Sequence, residues 1–101
     1  MPVPDTTRQW CTYLIECGDG SIYCGVSNDV ERRMHDHGTA RGARYVRSHG
    51  GVRRLLRAIG MSSKEEAMRV EYRLKRASRR VKEAIATTGH VPVNWLRTSS
   101  N

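Results

Sequence analysis

Residues 10–25, WCTYLIECGDGSIYCG, constrain the fold more than any other stretch of the chain. Two runs rich in aromatic and β-branched residues, 10–17 and 21–25, are separated by Gly18, Asp19 and Gly20, the composition of a hairpin turn. The length of that turn decides which side chains meet. A three-residue loop with a left-handed Gly20 sets Cys17 opposite Ser21, Ile15 opposite Tyr23 and Tyr13 opposite Gly25. Tyr13 and Tyr23 then project from one face as diagonal neighbours. A two-residue Asp19-Gly20 turn shifts the pairing by one and separates the tyrosines. The residues permit both registers.

The hairpin runs into an amphipathic helix. Asn28 followed by Glu31 has the form of a capping box, and Gly38 is a natural stop. At about 100° per residue, Val30, Met34 and His37 form one stripe with Arg33 at its edge, while Arg32, His35 and Asp36 point elsewhere. Arg33 is a charge out of place on a core-facing helix. A second helix starts at Ser62 or Ser63, each with a glutamate three residues on, and runs through KEEAMRVEYRLKRA. Its inward stripe is Ala67, Val70 and Leu74; Glu65 and Glu66 suit an acidic first turn, but Glu71 lies inside the stripe. Ser78 caps a third helix closed by Gly89, or the second helix simply continues; His90 to Asn101 reads as an extended strap held by Pro92 and Trp95.

Residues 39–51, TARGARYVRSHGG, are basic and show no helical stripe. Such a loop suits either a mobile clamp on phosphates, with Tyr45 stacking on a base, or a solvated loop whose tyrosine packs onto the domain. Residues 52–59, VRRLLRAI, match a helix as well as a buried strand. A chain of 101 residues supports one modest core. The expected division is an N-terminal extension (1–9), one domain (10–88) and a C-terminal tail (89–101).

Lys and Arg outnumber Asp and Glu by 18 to 10, a net charge of +8, which favours a polyanionic partner, nucleic acid foremost. No run reaches 18 apolar residues and residues 1–10 lack the apolar core of a signal peptide, so the expectation is a cytoplasmic protein with no membrane partner. Cys11, Cys17 and Cys24 are odd in number and lack metal-ligand spacing, and read as small buried side chains.

Tyr13, Tyr23, Arg33, His37 and Glu71 make a polar cluster in a small domain, and buried charge is costly unless it is paired or bound to a ligand. One resolution is a functional site. The other is structural: an Arg33–Glu71 ion pair, bonded tyrosines, and His37 favoured by the helix dipole. Composition and spacing alone favour the structural one.

In order along the chain, TYLIECGDGSIYCGVSNDVERRMHDH (12–37), GARYVRS (42–48) and EEAMRVEYRLKRASR (65–79) resemble segments of the GIY-YIG nuclease family, in particular its small single-domain bacterial members. The likeness covers most of residues 10–85. It implies an α+β fold, a small three-stranded antiparallel sheet flanked by helices, with residues 52–59 as a central strand buried on both faces. Tyr13 corresponds to the tyrosine of the first motif, Tyr23 to that of the second, Arg33 and His37 to the first helix, and Glu71 to the metal-binding acid. Cys11-Thr12-Tyr13 stands where the family has Gly-Ile-Tyr, Tyr23-Cys24-Gly25 forms the second motif, and Asn94 is a candidate for the family's late asparagine.

The activity implied is endonucleolytic hydrolysis of a phosphodiester by in-line water, in DNA repair or processing, with Mg²⁺ or Mn²⁺ on Glu71 and no small-molecule cofactor. Arg33 binds the phosphate, His37 is brought to the same phosphate, and a tyrosine takes the water's proton, Tyr13 by preference and Tyr23 as the alternative. Arg32, Arg41, Arg44, Tyr45, Arg47 and Lys75 are the expected contacts to nucleic acid, DNA ahead of RNA. Two other classes fit the charge: a basic module that binds nucleic acid without cleaving it, and an interaction subunit for an acidic protein.

Overall fold

A computed structural model of the chain describes residues 9–39 and 41–96 and takes up the hairpin in its three-residue register. The expected extension up to residue 8 and the end of the tail, 97–101, lie outside the described residues. Strands β1 (Cys11–Cys17) and β2 (Ile22–Ser27) pair antiparallel with Ile15 opposite Tyr23 and Tyr13 opposite Gly25. Gly20, at φ 88°, occupies the left-handed position that a side chain resists, and Asp19 Oδ1 accepts from the Ser21 amide at 3.0 Å and its hydroxyl at 2.7 Å. The Tyr13 and Tyr23 ring centroids are 6.5 Å apart.

The chain continues through α1 (Val30–His37) and α2 (Arg44–Ser48) into β3 (Val52–Gly60), then α3 (Lys64–Arg76) and α4 (Arg79–Thr88). The result is an α+β domain whose antiparallel sheet has the order β2-β1-β3. Residues 52–59 are thus a strand, but not the central one. That place belongs to β1, where Thr12, Tyr13, Leu14, Ile15 and Cys17 are all buried, so side chains on both faces enter a core. β3 carries Arg53, Arg54 and Arg57, and it lies at an edge where arginines can reach water. Arg54 stands opposite Glu16 and donates its Nε to Oε1 at 2.8 Å.

Two bulges explain the ambiguous periodicity of β3. Leu14 pairs with Arg57 but Ile15 with Leu55, and Glu16 pairs with Arg54 but Cys17 with Val52, so Leu56 and Arg53 are extra residues. Each extra residue turns the strand over and breaks its two-residue alternation.

Helices cover both faces. Under α1 and α2, Tyr13, Ile15 and Cys17 pack with Val46, Met34 and Val52. Under α3 and α4, Leu14, Ile22 and Cys24 pack with Ala67, Val70, Leu74 and Ile85, and Val91, Trp95 and Leu96 of the tail lie against them. Burying a leucine such as Leu14 or Leu74 contributes roughly 1.5–3 kcal/mol.

The ends of the helices refine the expected boundaries. Asp29, rather than Asn28, caps α1, its Oδ1 accepting from the Arg32 amide at 3.2 Å. Its own amide is held by Ser27 Oγ at 2.9 Å, and a carboxylate suits the helix dipole better than an amide does. Both serines serve α3: Ser63 Oγ accepts from the Glu66 amide at 3.1 Å and Glu66 Oε1 from the Ser62 amide at 2.8 Å. Ser78 caps a separate α4, which the left-handed Gly89 closes. The 39–51 stretch is not all loop, because α2 forms within it; with Val46 its one buried residue, this five-residue helix is too short to show a stripe.

Candidate active site

Tyr13 from β1, Tyr23 from β2, Arg33 from α1 and Glu71 from α3 line one groove of about 380 Å³, together with Trp10, Gly25, Val26, Lys64 and Met68. Gly25 makes the arrangement possible. It faces Tyr13 across the hairpin, and a Cβ at Gly25 would collide with the Tyr13 ring and hydroxyl. Gly25→Ala is therefore expected to cost about 1–3 kcal/mol of stability, as overpacking does, and to displace the Tyr13 hydroxyl from the groove. Denaturant unfolding measures this, and an unchanged midpoint would contradict the close approach.

Tyr13 and His37 form a buried pair. The Tyr13 oxygen lies 2.9 Å from His37 Nε2, and His37 Nδ1 accepts from the Ala43 amide at 3.3 Å. A nitrogen that accepts carries no proton, so the neutral ring holds its proton on Nε2 and donates it to Tyr13. The Tyr13 hydroxyl proton is left to point elsewhere. Burial pushes Tyr13 up to about 12, although the neighbouring Arg33 guanidinium acts in the opposite direction. Tyr13 therefore keeps its proton at neutral pH and serves as a donor.

His37 is only 2% exposed with both ring nitrogens engaged, so it does not reach a phosphate in the groove; it is a positioning residue for Tyr13. Burial first, and Arg33 second, lower its pKa, with Asp36 opposing. The unfolded chain thus takes up a proton that the folded chain resists. This contribution to stability is full above the unfolded value, about 6.5, and is lost as pH falls from there through the lowered folded value. The thermal midpoint is expected to drop between pH 7.5 and 5.5, and to drop less in His37→Gln; equal drops would show that His37 does not titrate in this way.

Arg33 and Glu71 both face the groove, yet the expected structural ion pair between them is not formed. Arg33 Nη1 donates to the Arg41 carbonyl at 3.3 Å, and Glu71 Oε2 lies 3.6 Å from Lys75 Nζ, its ion-pair partner among the described residues. The two residues come from helices on opposite faces of the sheet and meet across the groove beside β2, one of the two edge strands. Glu71 is the one acid of the lining, and no group of three or more His, Cys, Asp or Glu able to hold a metal occurs among the described residues. A single carboxylate with a 23% exposed side chain fits a hard divalent cation that keeps most of its water, and does not fit a zinc-type site.

The expected nucleic-acid contacts divide. Tyr45 stacks against Tyr23 at 5.6 Å between centroids, and Lys75 Nζ lies 5.4 Å from the Tyr23 centroid, so both adjoin the groove. Arg32, Arg41, Arg44 and Arg47 are exposed on α1, α2 and the loop between them, outside its lining. Asn94 is exposed in the 3₁₀ turn Val93–Trp95 and does not line the groove either. Sequence reasoning missed Trp10, Lys64 and Met68. A helical wheel could have found the last two, since Lys64 and Met68 precede Glu71 by seven and three residues on one face of α3.

Comparison with known proteins identifies the family. Residues 9–84 match the GIY-YIG catalytic domain. A UPF0213 protein of Nitratidesulfovibrio vulgaris is 45% identical over 75% of this chain and 68% of its own length. One of Halalkalibacterium halodurans is 47% identical over 74% of this chain and 79% of its own, and one of Halobacterium salinarum 47% identical over 72% and 94%. The solution NMR structure of a UPF0213 protein from Bacillus halodurans, 44% identical, covers 78% of this chain and 83% of that one with a TM-score of 0.49. Among the described residues no helix is long and apolar enough to cross a membrane. By the identity and coverage of these relatives the chain groups with the UPF0213 proteins, and by the domain match over residues 9–84 it belongs to the GIY-YIG family.

Proposed function

We propose that this chain is a divalent-cation-dependent endonuclease that hydrolyses phosphodiester bonds in nucleic acid, DNA ahead of RNA, by in-line attack of water. The observation that carries the reading is an arginine and a carboxylate facing one open groove without pairing, beside two tyrosines on one sheet face. Glu71 would hold the cation, Mg²⁺ or Mn²⁺, which when bound stabilises negative charge on the scissile phosphate and the leaving oxygen.

Arg33 binds the scissile phosphate through its planar fork and offsets the charge that grows on the phosphoryl oxygens. Tyr13, holding its proton and fixed by His37, donates a hydrogen bond into the groove. Tyr23, half-buried and lining the same groove, takes the proton of the attacking water while its own hydroxyl proton passes to solvent. The order of preference between the tyrosines thus reverses, because burial withdraws Tyr13 from base chemistry. Lys64 in the lining, Lys75 beside it and the exposed arginines of α1 and α2 contact flanking phosphates.

A panel of labelled duplex, single-stranded, flapped and branched DNA and RNA, with Mg²⁺, Mn²⁺ or chelator, tests the reading. Cleavage that requires the metal is expected. Tight binding with no cleavage in any metal would instead mark a binding module.

A further inference from the structure

Beside the catalytic groove, and sharing Tyr23 with it, lies a second cavity of about 410 Å³ lined by Ile22, Tyr23, Cys24, Tyr45, Lys75 and Lys82. Of these, the cleavage chemistry uses only Tyr23. Ile22 and Cys24 are buried and form an apolar floor; burial pushes the Cys24 thiol up to about 11, so it remains neutral there. Tyr45 and Tyr23, stacked with centroids 5.6 Å apart, form the wall, Tyr45 being 41% exposed and backed by His49, whose ring is stacked at 3.8 Å and 11°. Two ammonium groups complete the cavity, Lys75 from α3 and Lys82 from α4. Both lie near enough to Cys24 to favour its thiolate, though burial outweighs them.

An apolar floor with an aromatic wall suits a planar heterocycle, and two ammonium groups suit an anion attached to it. The volume falls within the roughly 300–1,000 Å³ of sites that enclose small molecules. We propose that this cavity is a nucleotide subsite, receiving the base and phosphate of a nucleotide adjoining the scissile phosphate, with Lys75 and Lys82 on the phosphate and Tyr45 against the base. The proposal rests on the nucleic-acid reading above. A base seated there has left its helical stack, so a substrate with an unpaired nucleotide beside the cut binds without the cost of opening a pair.

Binding tests this apart from cleavage. With Glu71→Gln chain, anisotropy compares a fully paired hairpin, the same hairpin with one unpaired nucleotide, and that hairpin with an abasic residue at the unpaired position, each as DNA and as RNA. The unpaired base is expected to tighten binding about tenfold or more over both other forms, the scale of one base stacked on an aromatic ring, in at least one of the two sugars. Lys82→Ala, at a half-buried position of α4, and Tyr45→Leu should each remove most of that preference. Equal affinity for the three hairpins in both sugars, or a preference that survives both replacements, overturns the subsite while leaving the nuclease reading intact. Failure to bind any hairpin overturns both.

Discussion

Glu71→Gln is expected to reduce metal-dependent cleavage by at least about 10²–10³-fold, the loss seen when one preorganised stabilising group is removed from an active site. A neutral amide is a poor ligand for a hard cation, and Glu71 is the one acid lining the groove. The fold should hardly notice. The carboxylate's ion pair is with Lys75, one turn along α3, and such pairs contribute about 0.3–0.5 kcal/mol. Activity and thermal midpoint measured together decide the matter. A parental cleavage rate would remove Glu71 from the chemistry. A stability loss of about 3–5 kcal/mol would mean that Glu71 compensates a buried charge, which the open groove contradicts.

Replacing each tyrosine by phenylalanine should separate their two roles. Tyr13→Phe removes the acceptor of the His37 Nε2 proton inside a buried pair, and stranding that donor costs about 1–3 kcal/mol. Tyr23 has no such buried partner among the described hydrogen bonds, so Tyr23→Phe should leave stability nearly unchanged. Its loss should appear in the chemical step. General-base assistance contributes roughly 10²–10⁴-fold, and Tyr23→Phe should lose that much single-turnover rate at saturating nucleic acid. Tyr13→Phe should lose less rate and more stability. If Tyr13→Phe is the slower enzyme, the base assignment returns to Tyr13; if both cleave at the parental rate, neither hydroxyl takes part.

The part of the fold that local chemistry dictates was legible in the sequence. The turn residues narrowed the hairpin to two registers, one of which puts both tyrosines on one face, Ser62 or Ser63 marked one helix start and Ser78 offered another, and the stripe of Ala67, Val70 and Leu74 entered the core as its spacing requires. What was not legible depended on distant partners. The edge position of β3 follows from competition with β1 for the centre, and its lost alternation follows from two bulges that only pairing with β1 creates. The same holds at the site. Residue types gathered Tyr13, Tyr23, Arg33, His37 and Glu71 into one polar cluster, which spacing alone read as structural and the family resemblance read as a site. They could not show that Lys75 rather than Arg33 pairs with Glu71, or that the Ala43 amide occupies His37 and makes it a support for Tyr13. Lys82 carries no signal at all along the chain; only the folding of α4 onto the sheet brings it into the cavity that Tyr45 lines.

The stereochemistry at phosphorus tests the central claim most directly. Water attacking in line with the leaving oxygen, in one displacement, inverts the configuration, whereas a covalent tyrosyl intermediate from Tyr13 or Tyr23 requires two displacements and retains it. Cleavage of a substrate bearing a single phosphorothioate of known configuration, in ¹⁸O-labelled water with Mg²⁺ or Mn²⁺, reports the outcome. Inversion with one ¹⁸O on the product phosphate is the predicted result, and retention would contradict direct hydrolysis in this groove.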